Sequence, residues 1–207
     1  MKKVINCYKE NNPVINKKLR EVSVEEGLVI AEELFQILNK RGDGIGLAAN
    51  QVGIDAQVAV VNVREPLVLI NPKIEKVWDE INFYEGCLSY PNKGVHTKRY
   101  KHIIIKTEQE ESGWYFSGAK SPTDTKGSWE TSAKHDQEQR ILEAVCVQHE
   151  IDHLMGKTIH DRKINTTVKV EKKIGRNELV TIKKGDAVKV LKYKKAQPFL
   201  NQGWVVT

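Results

Sequence analysis

The residues best suited to chemistry are His149-Glu150-Ile151-Asp152-His153. On a helix, histidines four apart share one face, so both imidazoles can reach one metal ion. Glu150 then stands beside that ion, where a carboxylate can take a proton from water and pass it to a leaving amine. The plain alternative is a helix with two surface histidines, since so short a pattern also arises by chance. A hydrolytic metal site needs a third protein ligand and an open position for water. A metzincin protease, HExxHxxGxxH, would supply it three residues after Gly156, but that position is Ile159 and the histidine follows as His160. One residue turns a side chain by about 100° on a helix, so His160 reads as a structural or surface histidine. The other candidate is Cys87, in Glu85-Gly86-Cys87-Leu88-Ser89-Tyr90-Pro91. Its thiolate would complete a Cys-His-His set and, being soft, would favour Fe(II) or Zn(II) over Mg(II) or Ca(II). Taken alone, Cys87 also reads as a small buried hydrophobe.

The elements that must position these residues follow from periodicity. Residues 138 to 155 form a helical pattern with Ile141, Leu142, Val145 and Cys146 on the buried side and Gly156 as the stop. A first helix is expected over 23 to 40, where Ser23 with Glu26 makes a capping box and Leu28, Ala31, Leu34, Phe35 and Leu38 recur at helical spacing before Gly42. Between them, AQVAVVNV at 56 to 63, Leu67 to Ile70, Lys73 to Phe83 and Lys101 to Thr107 read as extended. Ser117 to Gln137 lacks periodicity and reads as a long surface loop. Leu179 to Lys183 and Ala187 to Tyr193, joined through Gly185-Asp186, predict a hairpin. The glycine-rich stretch from Gly44 has no GxGxxG, which argues against a nucleotide site.

Composition bounds the setting. A chain of 207 residues supports one catalytic domain plus an appendage. No run approaches the roughly 20 apolar residues of a membrane span, and MKKVINCYKENN lacks the apolar core of a secretory signal. Cys7, Cys87 and Cys146 are too few for a disulfide framework, so a reducing compartment is expected. Residues 161 to 207 hold 12 Lys and Arg against 4 Asp and Glu, whereas the rest of the chain is slightly acidic. That asymmetry suggests a polyanion near the tail, or simply a solvated basic face.

Three separated segments, Gly44-x-Gly-Leu-Ala-Ala-x-Gln51, Glu85-Gly-Cys-Leu-Ser89 and Gln148-His-Glu-x-Asp-His-Leu154, resemble in type and order the signature motifs of peptide deformylases. The likeness spans residues 1 to about 165, including the Asn12-Pro13 lead-in. It implies hydrolysis of the formyl group from formyl-methionyl nascent peptides, with release of formate. It also implies one divalent metal on Cys87, His149 and His153, Fe(II) preferred and Zn(II), Ni(II) or Co(II) as replacements, with Glu150 as general acid and base. Gln51 and the backbone N–H of Leu88 would hold the developing oxyanion. Gly46 would let the substrate backbone approach closely. Ile45, Phe83, Leu142, Val145 and Cys146 match the methionine pocket, and Glu85 with Arg99 matches a supporting ion pair.

Two features depart from the family pattern. The stretch around Trp114 to Trp129 is longer than usual, and Asn92-Lys93-Gly94 has no arginine where many members place one to anchor the peptide. The expected fold is α+β, with antiparallel sheets around a central HExxH-bearing helix and a small basic C-terminal β appendage. Residues 1–165 would form the catalytic domain and 166–207 the basic extension, for which the resemblance suggests a ribosome contact. The expected location is cytoplasmic, in a bacterium or phage-infected host, or an organelle matrix. A zinc endopeptidase, which would need neither Cys87 nor Gln51, and a basic RNA-binding protein with a closed structural metal site are the competing readings.

Overall fold

The computed structural model describes residues 2–117, 130–164, 177–185, 187–200 and 204–206. It divides into two compact units, Met1–Asn165 and Thr166–Thr207.

In the first unit, helix α1 spans Val24–Arg41. Ser23 Oγ accepts the N–H of Glu26 at its start, acidic Glu25 and Glu26 meet the positive end of the helix dipole, and Gly42 at φ 70° ends it. Only half of the expected capping box forms, because the Glu26 carboxylate pairs with Arg20. Ala31, Leu34, Ile37 and Leu38 are buried, but Leu28 is 49% exposed, contrary to the sequence reading. Its place in the buried stripe is taken by Gly27, where a Cβ would come within 2.6 Å of Ile70 Cδ1. A helix this close to its sheet has no room there for any side chain.

The sheet beneath α1 is antiparallel, in the order β1 (Gly46–Ala48), β2 (Val58–Asn62), β3 (Pro66–Ile70). Strand β2 is covered on both faces, which is why its sequence is continuously apolar and not alternating. Val58 and Val60 pack with Leu34 and Leu38 of α1, whereas Ala59 and Val61 pack with Ala144, Val147 and Ile151 of a second helix, α2 (Glu130–Leu154). The same cluster takes in Ile103, Ile105 and Phe116 from a second antiparallel sheet, ordered β4 (Lys73–Cys87), β5 (Tyr90–Thr107), β6 (Glu110–Ser117).

The β4–β5 hairpin is longer than the sequence predicts. The strands run on through Gly86, Pro91 and Gly94 to a two-residue turn, Leu88-Ser89, with Cys87 paired to Tyr90 and a bulge between Glu85 and Cys87. Pro91 is tolerated because β6 pairs only with residues 102–107 of β5, so its missing N–H breaks no ladder bond. Strand β6 was not anticipated as a separate element. Helix α2 also begins at Glu130, eight residues before the expected start, so residues 130–137 are helical and not loop. This polar first part lacks apolar periodicity; Arg140 Nε on Asp136 at 2.6 Å and Arg64 between Asp136 and Glu143 brace it instead. Residues 118–129 of the expected loop lie outside the described residues.

In the second unit, β7 (Leu179–Lys184) and β8 (Ala187–Lys192) form the predicted hairpin. It is extended by α3 (Tyr193–Leu200) and by β9 (Val205–Val206), which pairs with β7, so a hairpin alone is too small a description. Val180, Ile182 and Ala196 form its core, with Phe199 and Trp204 against them and Lys189 Nζ 4.3 Å from the Phe199 ring. Among the described residues, no helix is long and apolar enough to cross a membrane.

Candidate active site

The last turns of α2 bury His149, Glu150, Asp152 and His153, at 1–8% exposure. On the opposite wall, the end of β4 presents Cys87. The nearest ligand atoms of Cys87, His149 and His153 lie within 4.8 Å of one another, with Cys87 Sγ 3.2 Å from His153 Nε2. His149 Nδ1 lies 2.7 Å from Glu85 Oε2, which leaves Nε2 as its free donor atom. A thiol and two imidazoles converging in this way fit a tetrahedral metal site of borderline softness, and Glu150 Oε2 is buried beside them without a hydrogen-bond partner. Among the described residues, these three are the sole cluster with such spacing.

The charges around the donors are strongly coupled. Burial would raise the Cys87 thiol, but His153 and His149 beside it bring it well below the ordinary thiol range. Burial pushes the Glu150 carboxyl up to about 7 against the opposing pull of the two histidines. Glu85 behaves oppositely: burial opposes its ionisation, yet His149 and Arg99 hold it at about 2.

The expected Glu85–Arg99 pair is present, with Arg99 Nε 2.6 Å from Oε1 and Nη2 3.2 Å from Oε2. Three further members escaped the sequence reading. Thr97 Oγ1 donates to Glu85, Arg99 Nη1 reaches Asp152 Oδ2 at 2.5 Å, and Arg162 grips Asp152 at 2.6 and 2.9 Å. Hairpin and helix are therefore tied through buried charge directly behind the three converging donors. Asp152 stood in view inside the histidine motif, but its partners are 53 and 10 residues away, and no local pattern announces them.

Gln51 Oε1 accepts the Ala48 N–H at 2.9 Å, which aims Nε2 at Cys87 Sγ, 3.5 Å, and Ser89 Oγ, 3.3 Å. Leu88 sits in the turn beside it, its side chain packed toward α1. Gly46 has a task the sequence did not suggest: a Cβ there would lie 2.4 Å from Glu150 Oε1, so the glycine makes room for the carboxylate itself. A cleft of about 660 Å³ opens over these groups, and Ile45, Phe83, Leu142, Val145 and Cys146 all line it. His160 is not part of the donor cluster; it packs edge-on against Tyr90 at 4.7 Å, while Ile159 is 1% exposed. A metzincin-type third ligand is therefore absent from this position.

An α+β framework that gathers a thiol, two imidazoles and a buried carboxylate in one cleft defines a metallohydrolase type of site. The polypeptide deformylase family model matches residues 4–120 and 124–169. The peptide deformylase of Dictyoglomus thermophilum is 34% identical over 168 residues, covering 80% of this chain and 96% of that protein. That of Finegoldia magna is 32% identical over 162 residues, covering 75% and 87%. Among solved structures, the peptide deformylase of Thermotoga maritima superposes with a TM-score of 0.57 at 29% identity, over 79% of this chain and 98% of that one. The Synechococcus elongatus enzyme, solved in complex with actinonin, gives 0.59 at 30% identity, over 80% of each chain. The chain belongs to the peptide deformylase family, metal-dependent enzymes that remove the N-terminal formyl group from nascent peptides.

Proposed function

We propose that Cys87, His149 and His153 hold one divalent metal, Fe(II) in preference to Zn(II), Ni(II) or Co(II), and that the cleft above them takes formyl-methionine. The observation that carries this is the convergence of three donors with the partnerless Glu150 Oε2 at the floor of a cleft of about 660 Å³. A thiolate in the donor set supports a borderline ion such as Fe(II) or Zn(II) over a hard one, and with Fe(II) it brings sensitivity to oxygen. When bound, the metal supplies Lewis-acid polarisation and a nucleophile at neutral pH.

The protein's own residues do the rest. Ile45, Leu142 and Val145, with Phe83 and Cys146, receive the methionine side chain and exclude water from the reacting carbonyl. Gln51 Nε2 and the Leu88 N–H donate to the oxyanion as the formyl carbon becomes tetrahedral. Glu150, held in the space left by Gly46, takes a proton from the attacking water and gives it to the departing nitrogen, so formate and a free α-amine leave. Glu85, fixed by Arg99, keeps the His149 ring in its ligating orientation. In this reading residues 1–165 are the catalytic domain and α2 its central element. The basic 166–207 segment is a ribosome contact, and the setting is the cytoplasm of a bacterium or of a phage-infected host cell, or an organelle matrix. Loss of salt-sensitive ribosome co-sedimentation on deleting 166–207 supports that contact, and unchanged co-sedimentation removes it.

The test is anaerobic turnover of a short formyl-Met peptide by Fe(II)-loaded protein, scoring formate and internal cleavage. Glu150→Gln is expected to keep its metal and lose roughly 10²- to 10⁴-fold in kcat, and Cys87→Ala to lose the metal. Internal cleavage that survives Cys87→Ala would instead favour an endopeptidase.

A further inference from the structure

The outer part of the cleft carries a feature that the reaction itself does not use. Along β4, Phe83, Glu85 and Cys87 face the buried side, so Tyr84 and Gly86 face the other. Tyr84 is directly opposite His96 on β5, but its ring leans along the diagonal and lies on Gly94, where a Cβ would meet the ring carbon Cζ at 2.4 Å. A second ring, His96, stands 5.0 Å away at a tilt of 57°. The position beside Gly86 is open, with nothing within 4 Å of where a Cβ would be. Tyr84 nevertheless remains 61% exposed. Two glycines and one aromatic ring thus make a flat, uncrowded shelf, and Tyr84, Gly86 and Gly94 all line the cleft.

The chemistry of that shelf is uncharged. The two cationic side chains lining the cleft are both engaged elsewhere: Arg41 pairs with Asp43 through two 2.9 Å bonds, and the Lys93 ammonium stands 4.8 Å from the Tyr8 ring. A substrate extended along β4 alternates its side chains across the strand plane, advancing about 3.3 Å per residue. With the methionine side chain on the buried face, toward Leu142 and Val145, the next side chain emerges on the face of Tyr84 and Gly86.

We infer that Tyr84 is a specificity-determining residue, its ring on Gly94 receiving an aromatic or branched aliphatic side chain at the position following formyl-methionine. This rests on the deformylase reading of the cleft. The plain alternative is that the ring only covers a gap in the hairpin over a glycine, which would make it a stability element.

Metal-loaded full-length protein separates the two. Formyl-Met-Phe-Ala is expected to have a KM roughly two- to tenfold below that of formyl-Met-Gly-Ala, the range of one aromatic contact. In Tyr84→Ala that advantage disappears while kcat and turnover of formyl-Met methylamide, which has no second side chain, stay unchanged; Tyr84→Phe retains it. A preference that survives Tyr84→Ala overturns the inference, and so does an equal loss on all three substrates accompanied by a lowered Tm. Failure of the deformylase reading shows separately, as absence of formate from every peptide. The shelf is then decided by calorimetric binding of unformylated Met-Phe-Ala against Met-Gly-Ala to wild type and Tyr84→Ala, where equal affinities in wild type sink it.

Discussion

Helices α1 and α2 cover opposite faces of the same small sheet, yet they are built on different terms. α1 buries only Gly27, Ala31, Leu34, Ile37 and Leu38 and keeps its charges at its caps and on its outer face. The last turns of α2 bury His149, Glu150, Asp152 and His153, and three of these, His149, Asp152 and His153, meet partners on a distant hairpin. α1 is therefore stabilised by burial and local capping, whereas the end of α2 adds buried charge pairs to the apolar packing of Val147, Ile151 and Leu154. The first kind of packing tolerates volume-conserving exchange; the second fails when one member is removed.

Several substitutions would break or sharpen that contrast. The largest effect is expected from Arg99→Met, which leaves Glu85 and Asp152 buried without their shared cation: about 3–5 kcal/mol of stability lost in urea unfolding of the metal-free protein. A value near that of an ordinary surface change would mean that the network is solvated and the contrast false. Next comes acid. Glu85, held at about 2, contributes stability that is fully present above its ordinary value near 4.5 and is lost as pH falls from there through 2. The linkage is worth about 3 kcal/mol, and Glu85→Gln should flatten the stability profile across that window. Glu150, with its carboxyl at about 7, is neutral in the folded metal-free protein through most of that window, whereas Asp152, held against its burial below its ordinary value by Arg162 and Arg99, adds to the loss in the same direction.

On the α1 side the effects should be smaller and steric. Gly27→Ala gains helix propensity but drives a methyl into the fully buried Ile70, for a net loss of about 1–2 kcal/mol. Ile70→Val in the same chain should recover part of it, and failure to do so would point away from that contact. Ser23→Ala, which deletes the N-cap bond, should cost about 1 kcal/mol in the same assay and leave turnover untouched.

The same division explains what could be read without a structure. α1, β2 and the β7–β8 hairpin were legible because caps, apolar runs and turn residues act over a few neighbours. The β4–β5 strands were cut short because Gly86, Pro91 and Gly94 look like breakers; only the two-residue turn and the lack of β6 beside residues 90–95 make them acceptable in a strand. The start of α2 was missed for the opposite reason, since residues 130–137 carry no apolar stripe to detect. In the site, spacing alone pointed to His149, Glu150 and His153, whereas Cys87 needed the resemblance of a second motif. Thr97, Arg162 and the ring of Tyr84 over Gly94 depend on register between strands or on contacts far along the chain, and nothing in their local sequence distinguishes them.

Cys87 and His153 are 66 residues apart along the chain, and this separation bears on supply as well as chemistry. An ion held by both acts as a ligand that only the folded state can bind, so each tenfold rise in free metal above the dissociation constant should add about 1.4 kcal/mol to stability. Starvation for the metal would then lower the stability of the fold along with the activity, and so shorten the protein's lifetime.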